Sequence, residues 1–318
     1  MRHKSHKRLK TPRVAKSFSK LREEVNHNLN LSMFLEDARF GIMPIGGESD
    51  YAPNFAVEIH GRNSDEPRVL AILESLTRSY QPNWYSQRPI KKLLSDVAEV
   101  IASELVWEGR SVRKIFWDEK DGGVYRLHNF AYQWLFRAFG RYIRILPQTY
   151  RHPDDKIYDT ISDKDTWDIV MPKKLGGYRR HRAMLKKLLR FPDIIPSFLK
   201  YTVSVHEWPT NFNAKHYAQE TKLFIARATE RWGWNQRDSN LENWSEFYSF
   251  YRTLTLNWAQ AHLREHIVKE LNQLFRRLDI EAEIVVKGLP TASEILRIRK
   301  QMCEGKISFM EAFKKCLV

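Results

Sequence analysis

The most constraining feature of this 318-residue sequence is a stretch without glycine or proline that runs from Trp234 to Lys287. Within it, apolar and aromatic residues recur at steps of three and four, as on one face of an α-helix. Ser239 and Glu242 have the spacing of a capping box, so we predict one helix from about Ser239 to Leu278. Such a helix would be about 57 Å long. This length indicates an assembly element that packs on several partners, although an ordinary long core helix would give the same pattern.

The composition narrows the class of protein. Hydrophobic residues make up 42% of the chain and aromatic residues 13%, which is enough for one large core or two smaller ones. The longest apolar runs fall short of a membrane span, and no apolar segment follows the basic N-terminus, so we expect neither a transmembrane helix nor a signal peptide. The two cysteines, Cys303 and Cys316, are expected to be free, packed thiols in a reducing compartment.

The formal net charge of +15 comes from two segments. Residues 1–22 carry nine Lys or Arg and no acidic residue, and residues 173–190 carry eight and none; without these seventeen cations the charge would be −2. Residues 1–22 are predicted to be a disordered arm, which could serve only solubility. The second segment lies inside the folded chain, and its local positive charge predicts contact with a nucleic-acid backbone. The predicted contact residues are Lys173, Lys174, Arg179, Arg180, Arg182, Lys186, Lys187 and Arg190.

The periodicity elsewhere predicts an α+β protein that is mainly α. Further helices are expected near 21–36, 67–79, 89–107, from 177 onward, and at 213–231, 291–303 and 308–315. Strands are expected at 56–59, 111–117, 124–128, 142–146, 167–171 and 282–286. Residues 148–166 are polar and predicted to form a loop, and residues 40–61 are predicted to be an extended surface segment.

A search for catalytic and metal-binding motifs yields no candidate. Gly46-Gly47 and Gly176-Gly177 lack the residues of a phosphate-binding loop. His262 and His266 have the spacing of two zinc ligands on a helix, but Leu263 stands where a zinc protease has glutamate, so we interpret them as polar positions on a helix face. We therefore predict no catalytic residue, metal ligand or cofactor.

Several segments resemble tailed-bacteriophage portal proteins in pattern and order. The helix LLSDVAEVIASELVWEG, the hairpin RSVRKIFWDEKDGGVYRLHNF and the segment WDIVMPKKLGGYRRHRAMLKKL are similar to the wing region of that family. The later segments LREHIVKELNQLF, AEIVVKGL, TASEI and EGKISFMEAF are similar to its C-terminal part, where a long helix, a strand and a last helix follow one another. The resemblance covers residues 67–318.

This resemblance implies a portal-like fold, with a wing-type helix and β-hairpin region and long stem or channel helices. It implies a homo-oligomeric ring, typically of twelve subunits, at one vertex of a viral capsid, through which double-stranded DNA is packaged and ejected. The implied partners are DNA, the major capsid protein, the terminase packaging motor and head–tail adaptor proteins, with no membrane and no enzymatic activity. The implied location is the virion, and the host cytoplasm during assembly.

On this basis we expect four regions: a basic arm at 1–22, a wing-like α+β region at 23–172, a helical stem or channel region at 173–278, and a C-terminal strand and helices at 279–318. Two features depart from the family: the chain is short for a portal protein, and it is strongly basic. Two alternatives therefore stay open: a nucleic-acid-binding accessory protein, or a metal-dependent nuclease of a mobile element.

Overall fold

A computed structural model of the chain describes residues 29–43, 55–77, 89–119, 123–129, 135–138, 141–145, 158–189, 214–236 and 245–316. Its fold is α+β and mainly helical. The α-helices are α1 (Leu29–Arg39), α2 (Glu66–Thr77), α3 (Ile90–Glu108), α4 (Gly177–Leu188), α5 (Ala214–Ala228), α6 (Glu246–Arg277), α7 (Ala292–Cys303) and α8 (Phe309–Cys316).

Eight strands form three small antiparallel sheets in these ranges. The strands are β1 (Ala56–Gly61), β2 (Arg110–Asp118), β3 (Val124–Asn129), β4 (Leu135–Ala138), β5 (Arg141–Ile145), β6 (Tyr158–Ser162), β7 (Thr166–Val170) and β8 (Ala282–Lys287). Their orders are β1-β8, β3-β2-β7 and β4-β5-β6. The predicted hairpin of β2 and β3 is confirmed, and β7 adds to its other edge.

The predicted helix 89–107 is confirmed as α3, and its ends follow from its sequence. Pro89 precedes the first turn, where its missing N–H leaves no bond unmade. Gly109 ends the helix with φ of 77°, a left-handed conformation that glycine adopts without a steric cost, and its N–H donates to the oxygen of Leu105. This turn leads directly into β2, so the helix fixes where the hairpin begins.

The long helix is shorter than the sequence predicted. It is α6, with 32 residues and a length of about 48 Å, and it begins at Glu246 instead of Ser239. The side chain of Ser245 accepts a hydrogen bond from the N–H of Tyr248 and caps the helix. The predicted capping box of Ser239 and Glu242 lies outside the described residues.

Helix α6 joins two hydrophobic cores. Its C-terminal half belongs to the main core, with Leu263, Ile267 and Leu271 fully buried together with residues of α1, α2 and α3. Its N-terminal half packs with α7 and α8 in a second core around Leu254 and Ile295. Within one chain α6 therefore packs as a long core helix shared by two cores, and its predicted role as an assembly element stays a prediction.

Strands β1 and β8 pair although they are more than 200 residues apart, with Ile59 opposite Ile284. The pairing encloses the main core, where Ile284 is 2% exposed. It also joins the predicted regions 23–172 and 279–318, and the region boundaries themselves stay predictions.

Two predicted surface segments differ from the structure. The polar stretch 148–166 was predicted to be a loop, but it contains strand β6, where Ile161 alone of the five residues is buried. Ile161 packs with Val112 and Tyr142, so the β4-β5-β6 sheet lies on the outer face of β2. In the predicted surface segment 40–61, the side chains of Ile42, Met43 and Phe55 are buried in the main core.

The C-terminal helices follow the sequence closely. The capping box of Thr291 and Glu294 is confirmed, with both reciprocal bonds present at the start of α7. Cys316 is buried as expected, and burial raises the pKa of its thiol to about 11. Cys303 is exposed, which corrects the expectation of two packed thiols.

Candidate nucleic-acid interface

The predicted basic segment forms a short 3-10 turn, Lys173–Leu175, followed by helix α4. One side of α4 is buried through four residues at helical spacing: His181, Met184, Leu185 and Leu188. Since these four residues recur three or four positions apart, they lie on one face of the helix, and the charged residues between them lie on the opposite face. The helix is therefore amphipathic, with its cations directed to solvent.

A buried histidine attaches α4 to the end of α3. His181 is 1% exposed, and its Nε2 lies 2.6 Å from the main-chain oxygen of Val106. Because a carbonyl oxygen only accepts, Nε2 carries the proton and donates it. Burial, with a smaller effect from the charge of Arg182, lowers the pKa of His181 to about 4, so the ring is neutral near pH 7.

Six of the eight predicted contact residues are exposed cations. They are Lys173, Lys174, Arg179, Arg180, Lys186 and Lys187, which we call the basic face. None of the six has an ion pair with another described residue. Arg179 and Lys186 are seven residues apart, about 10.5 Å along the helix axis. That separation corresponds to about three base-pair steps of a DNA strand, at 3.4 Å per step.

The other two predicted residues differ. Arg182 is half-buried, donates a hydrogen bond of 2.8 Å to the hydroxyl of Tyr178, and lies 5.5 Å from the centre of its ring. This engaged guanidinium is less available to a ligand than those of the basic face. Arg190 lies outside the described residues.

Next to the basic face, arginine and tyrosine side chains alternate in a row. The guanidinium of Arg110 lies between two rings, 5.6 Å from the centre of Tyr178 and 5.6 Å from the centre of Tyr142. The guanidinium of Arg137 also lies 5.6 Å from the centre of the Tyr142 ring. We call this set, with Arg182, the arginine–tyrosine row. Cation–π contacts of this kind are favourable when partly desolvated. The row connects α4 to the β4-β5-β6 sheet.

Asp168 holds the centre of this row. Its carboxylate accepts two bonds from Arg110, of 3.2 and 2.5 Å, and one from the hydroxyl of Tyr142. Burial and the bond to Asp168 raise the pKa of Tyr142 above its ordinary value. Sequence reasoning missed this group, because its members come from five separate elements. The available signal was the single acidic residue, Asp168, in strand β7.

The two histidines of α6 lie near the start of the basic segment. Burial lowers the pKa of His262, and the positive charge of Lys174 lowers it further. The ring of His262 stacks on that of Trp258, at 5.6 Å between centres, and His266 donates to the oxygen of Val170 at 2.9 Å. Among the described residues, no group of three His, Cys, Asp or Glu side chains is arranged to hold a metal ion.

This arrangement is suited to sequence-independent contact with phosphates. The cations of the basic face lie on the outward side of α4 and of the turn before it, and contacts of such groups with phosphates fix position without reading bases. The conformational freedom of lysine and arginine allows each to follow a phosphate. The expected ligand is therefore a nucleic-acid backbone whose affinity depends strongly on salt.

No protein-family model matches the sequence, and no curated protein matches it. In the described part of the chain, none of the helices is long and apolar enough to cross a membrane.

Proposed function

We propose that this chain is a subunit of a portal-like homo-oligomeric ring, through which double-stranded DNA is packaged into and ejected from a viral capsid. The observation that carries the proposal is the basic face, formed by α4 and the 3-10 turn before it, whose six cations have no ion pair with other described residues. It lies in a chain whose helix, hairpin, basic helix, long helix, strand and two last helices follow one another in that order. This order is compatible with the resemblance to portal proteins that the sequence segments suggest.

A ring is supported by the apolar surface that one chain leaves uncovered. Phe247 and Tyr248 at the start of α6 are each 39% exposed, and Met310 on α8 is 53% exposed. Helix α8 packs on this part of α6, where the rings of Phe250 and Phe309 stack with their centres 5.6 Å apart. In a cyclic assembly, each subunit would cover such a surface on its neighbour through a heterologous interface.

The proposal extends to a location and to partners. The ring would stand at a capsid vertex of the virion after assembly in the host cytoplasm. It would contact the major capsid protein, the terminase motor and the head–tail adaptors. The subunit count of about twelve is part of the proposal. The basic face would contact the DNA backbone, or an acidic neighbour, without enzymatic turnover.

The test is the mass of the purified 37.9-kDa chain by light scattering after size exclusion, with negative-stain images of the same fractions. The expected result is a species of about a dozen chains that appears as rings with a central hole. A monomer at every concentration, with no ring in the images, would contradict the proposed assembly.

A second candidate is a nucleic-acid-binding accessory protein that acts as a monomer. The same six exposed cations favour it, since they need no second chain to bind a phosphate backbone. A monomer that retards double-stranded DNA would support this candidate over the ring. The nuclease alternative is tested separately, by incubating the same DNA with Mg²⁺ or Mn²⁺ and looking for cleavage.

A further inference from the structure

A groove of about 340 Å³ runs between helix α6 and strand β8, with Lys269 on the helix side and Val286 on the strand side. Val268 and Leu289 give it half-buried apolar walls, and Asn272 lies on its α6 side between Lys269 and Arg276. The groove is separate from the basic face of α4, because none of its lining residues belongs to that segment.

One edge of β8 opens into this groove. The N–H of Arg62 bonds to the oxygen of Glu281, and in an antiparallel ladder hydrogen-bonded and non-hydrogen-bonded pairs alternate. By this register the main chain of Ile284 and of Val286 is directed away from β1. Val286 lines the groove, and within the described part of the chain no hydrogen bond joins its N–H or C=O to a residue outside β1 and β8.

Asn272 already binds this edge as a neighbouring strand would. Its Nδ2 donates to the oxygen of Ile284 at 3.0 Å, and its Oδ1 accepts from the N–H of Ile284 at 2.8 Å. One side-chain amide thus satisfies both groups of a residue on the open edge. Two positions further along, at Val286, no side chain of the described residues does so, and Val286 also lines the groove.

The groove carries more positive than negative charge. Its lining includes the cations Arg264, Lys269 and Arg276 and the carboxylates Glu265 and Glu283. Arg264 donates to main-chain oxygens, and Glu265 accepts from the N–H of Ala292 at 2.7 Å, so these two are already engaged. Lys269 and Arg276 are exposed along the rim of α6, although Nε of Arg276 donates to the main-chain oxygen of Asn272 at 3.3 Å. With the exposed carboxylate of Glu283 on the other side, the groove keeps a positive charge that can attract an acidic ligand.

We propose that this groove binds an extended, acidic peptide segment of a partner protein. The segment would pair its main chain with Val286 as an added strand. Its apolar side chains would contact Val268 and Leu289, and its carboxylates would approach Lys269 and Arg276. The main chain of the peptide would make with Val286 the same two hydrogen bonds that the Asn272 amide makes with Ile284.

The test uses fluorescence anisotropy with a labelled, end-capped peptide of alternating glutamate and valine. We expect saturable binding that is lost when alternate peptide nitrogens are methylated, because methylation removes donors but keeps the charge. A peptide of alternating lysine and valine should not bind. No binding of the glutamate–valine peptide, or equal binding of its methylated form, would overturn the proposal.

Variants of the chain provide the second arm. Val286→Pro removes one donor on the open edge and should weaken peptide binding about two- to tenfold, the range expected for one hydrogen bond. Val57→Pro removes the corresponding donor on the opposite edge of the same sheet and should leave binding unchanged. Both variants are first compared with the wild type by circular dichroism, so that only folded protein is titrated.

Lys269→Glu combined with Arg276→Glu keeps the strand intact, so it tests the groove even if the proline variants do not fold. This double variant should bind the peptide more weakly, whereas Lys314→Glu with Lys315→Glu on α8 should not. Equal affinity of both double variants for the peptide would also overturn the proposal.

Discussion

His181 of the basic helix donates a hydrogen bond of 2.6 Å from Nε2 to the main-chain oxygen of Val106, near the end of α3. The other ring nitrogen, Nδ1, is buried and has no hydrogen-bond partner among the described residues. Protonation of Nδ1 would therefore place a charged donor in a site that offers it no acceptor. The bond both attaches the basic face to the main core and makes that attachment sensitive to acid.

We predict that stability falls as the pH decreases from about 6.5 to about 4. The pKa of His181 is about 4 in the folded chain and ordinarily 6.5, so the unfolded chain binds the proton first within this window. The expected loss from this residue is on the order of 3 kcal/mol. His262, whose pKa is also lowered, contributes with the same sign. The measurement is the free energy of unfolding in urea at several pH values.

The matched control for this prediction is His181→Gln, which keeps a donor for Val106 but does not titrate. Its stability should be lower than that of the wild type near pH 7, and it should fall less between pH 6.5 and pH 4. Parallel profiles for the two proteins would show that His181 does not cause the pH dependence.

Replacement of Arg179 and Arg180 by alanine should weaken binding to double-stranded DNA equally for all sequences. Each phosphate contact contributes about −0.9 to the slope of log K against log salt, so the loss of two contacts should flatten the slope by about 2. The measurement is a filter-binding titration at four salt concentrations with two unrelated duplexes.

For this titration, Lys314→Ala with Lys315→Ala removes the same charge from α8, at exposed positions away from the basic face. If that control pair flattened the slope as much as the α4 pair, binding would follow net charge and not the basic face.

Local sequence patterns predicted most elements of the fold but not the contacts between them. Helix α3 could be located from its apolar spacing and from Gly109, because both signals act within a few residues. The pairing of β1 with β8 could not, since nothing in either strand specifies a partner more than 200 residues away. Strand β6 was missed for a related reason, because only Ile161 is buried and the alternation is too weak to recognise.

The same distinction holds for the candidate site. The cations of the basic face were predicted, because charge clustering is visible in the sequence itself. The contact of Arg182 with Tyr178 could have been expected, because residues four apart are neighbours on a helix. The part of Arg110 and Asp168 in the arginine–tyrosine row depends on which elements meet in space, and the sequence shows no periodicity that joins these two residues to α4.

Arg252, 3% exposed, should be important for stability and not for DNA binding. It donates to the main-chain oxygens of Ala226 at 3.1 Å and Trp234 at 2.6 Å, and to the side chain of Asn235 at 2.9 Å, so it connects α6 to the turn after α5. Arg252→Ala leaves these acceptors buried and creates a cavity. We expect a loss of about 3 kcal/mol in the free energy of unfolding, measured in urea.

Arg297→Ala on the exposed side of α7 is the control for this variant, and it should change stability by less than about 0.5 kcal/mol. Equal effects of the two substitutions on the free energy of unfolding would contradict a structural role for Arg252.

Asn272 offers the sharpest test of how α6 is joined to β8, because its amide both donates to and accepts from Ile284. Asn272→Asp keeps the acceptor for the N–H of Ile284 but brings a carboxylate oxygen against its carbonyl oxygen. Asn272→Ala removes both bonds without adding a charge, and should lower the free energy of unfolding by about 1–3 kcal/mol. The aspartate variant should be less stable than the alanine variant near pH 7. It should recover stability as the pH falls, because its carboxyl group then takes up a proton and can donate to the carbonyl oxygen of Ile284. Urea unfolding of both variants at pH 7 and pH 5 measures this difference, and identical stabilities at both values would show that the amide does not bind the strand edge.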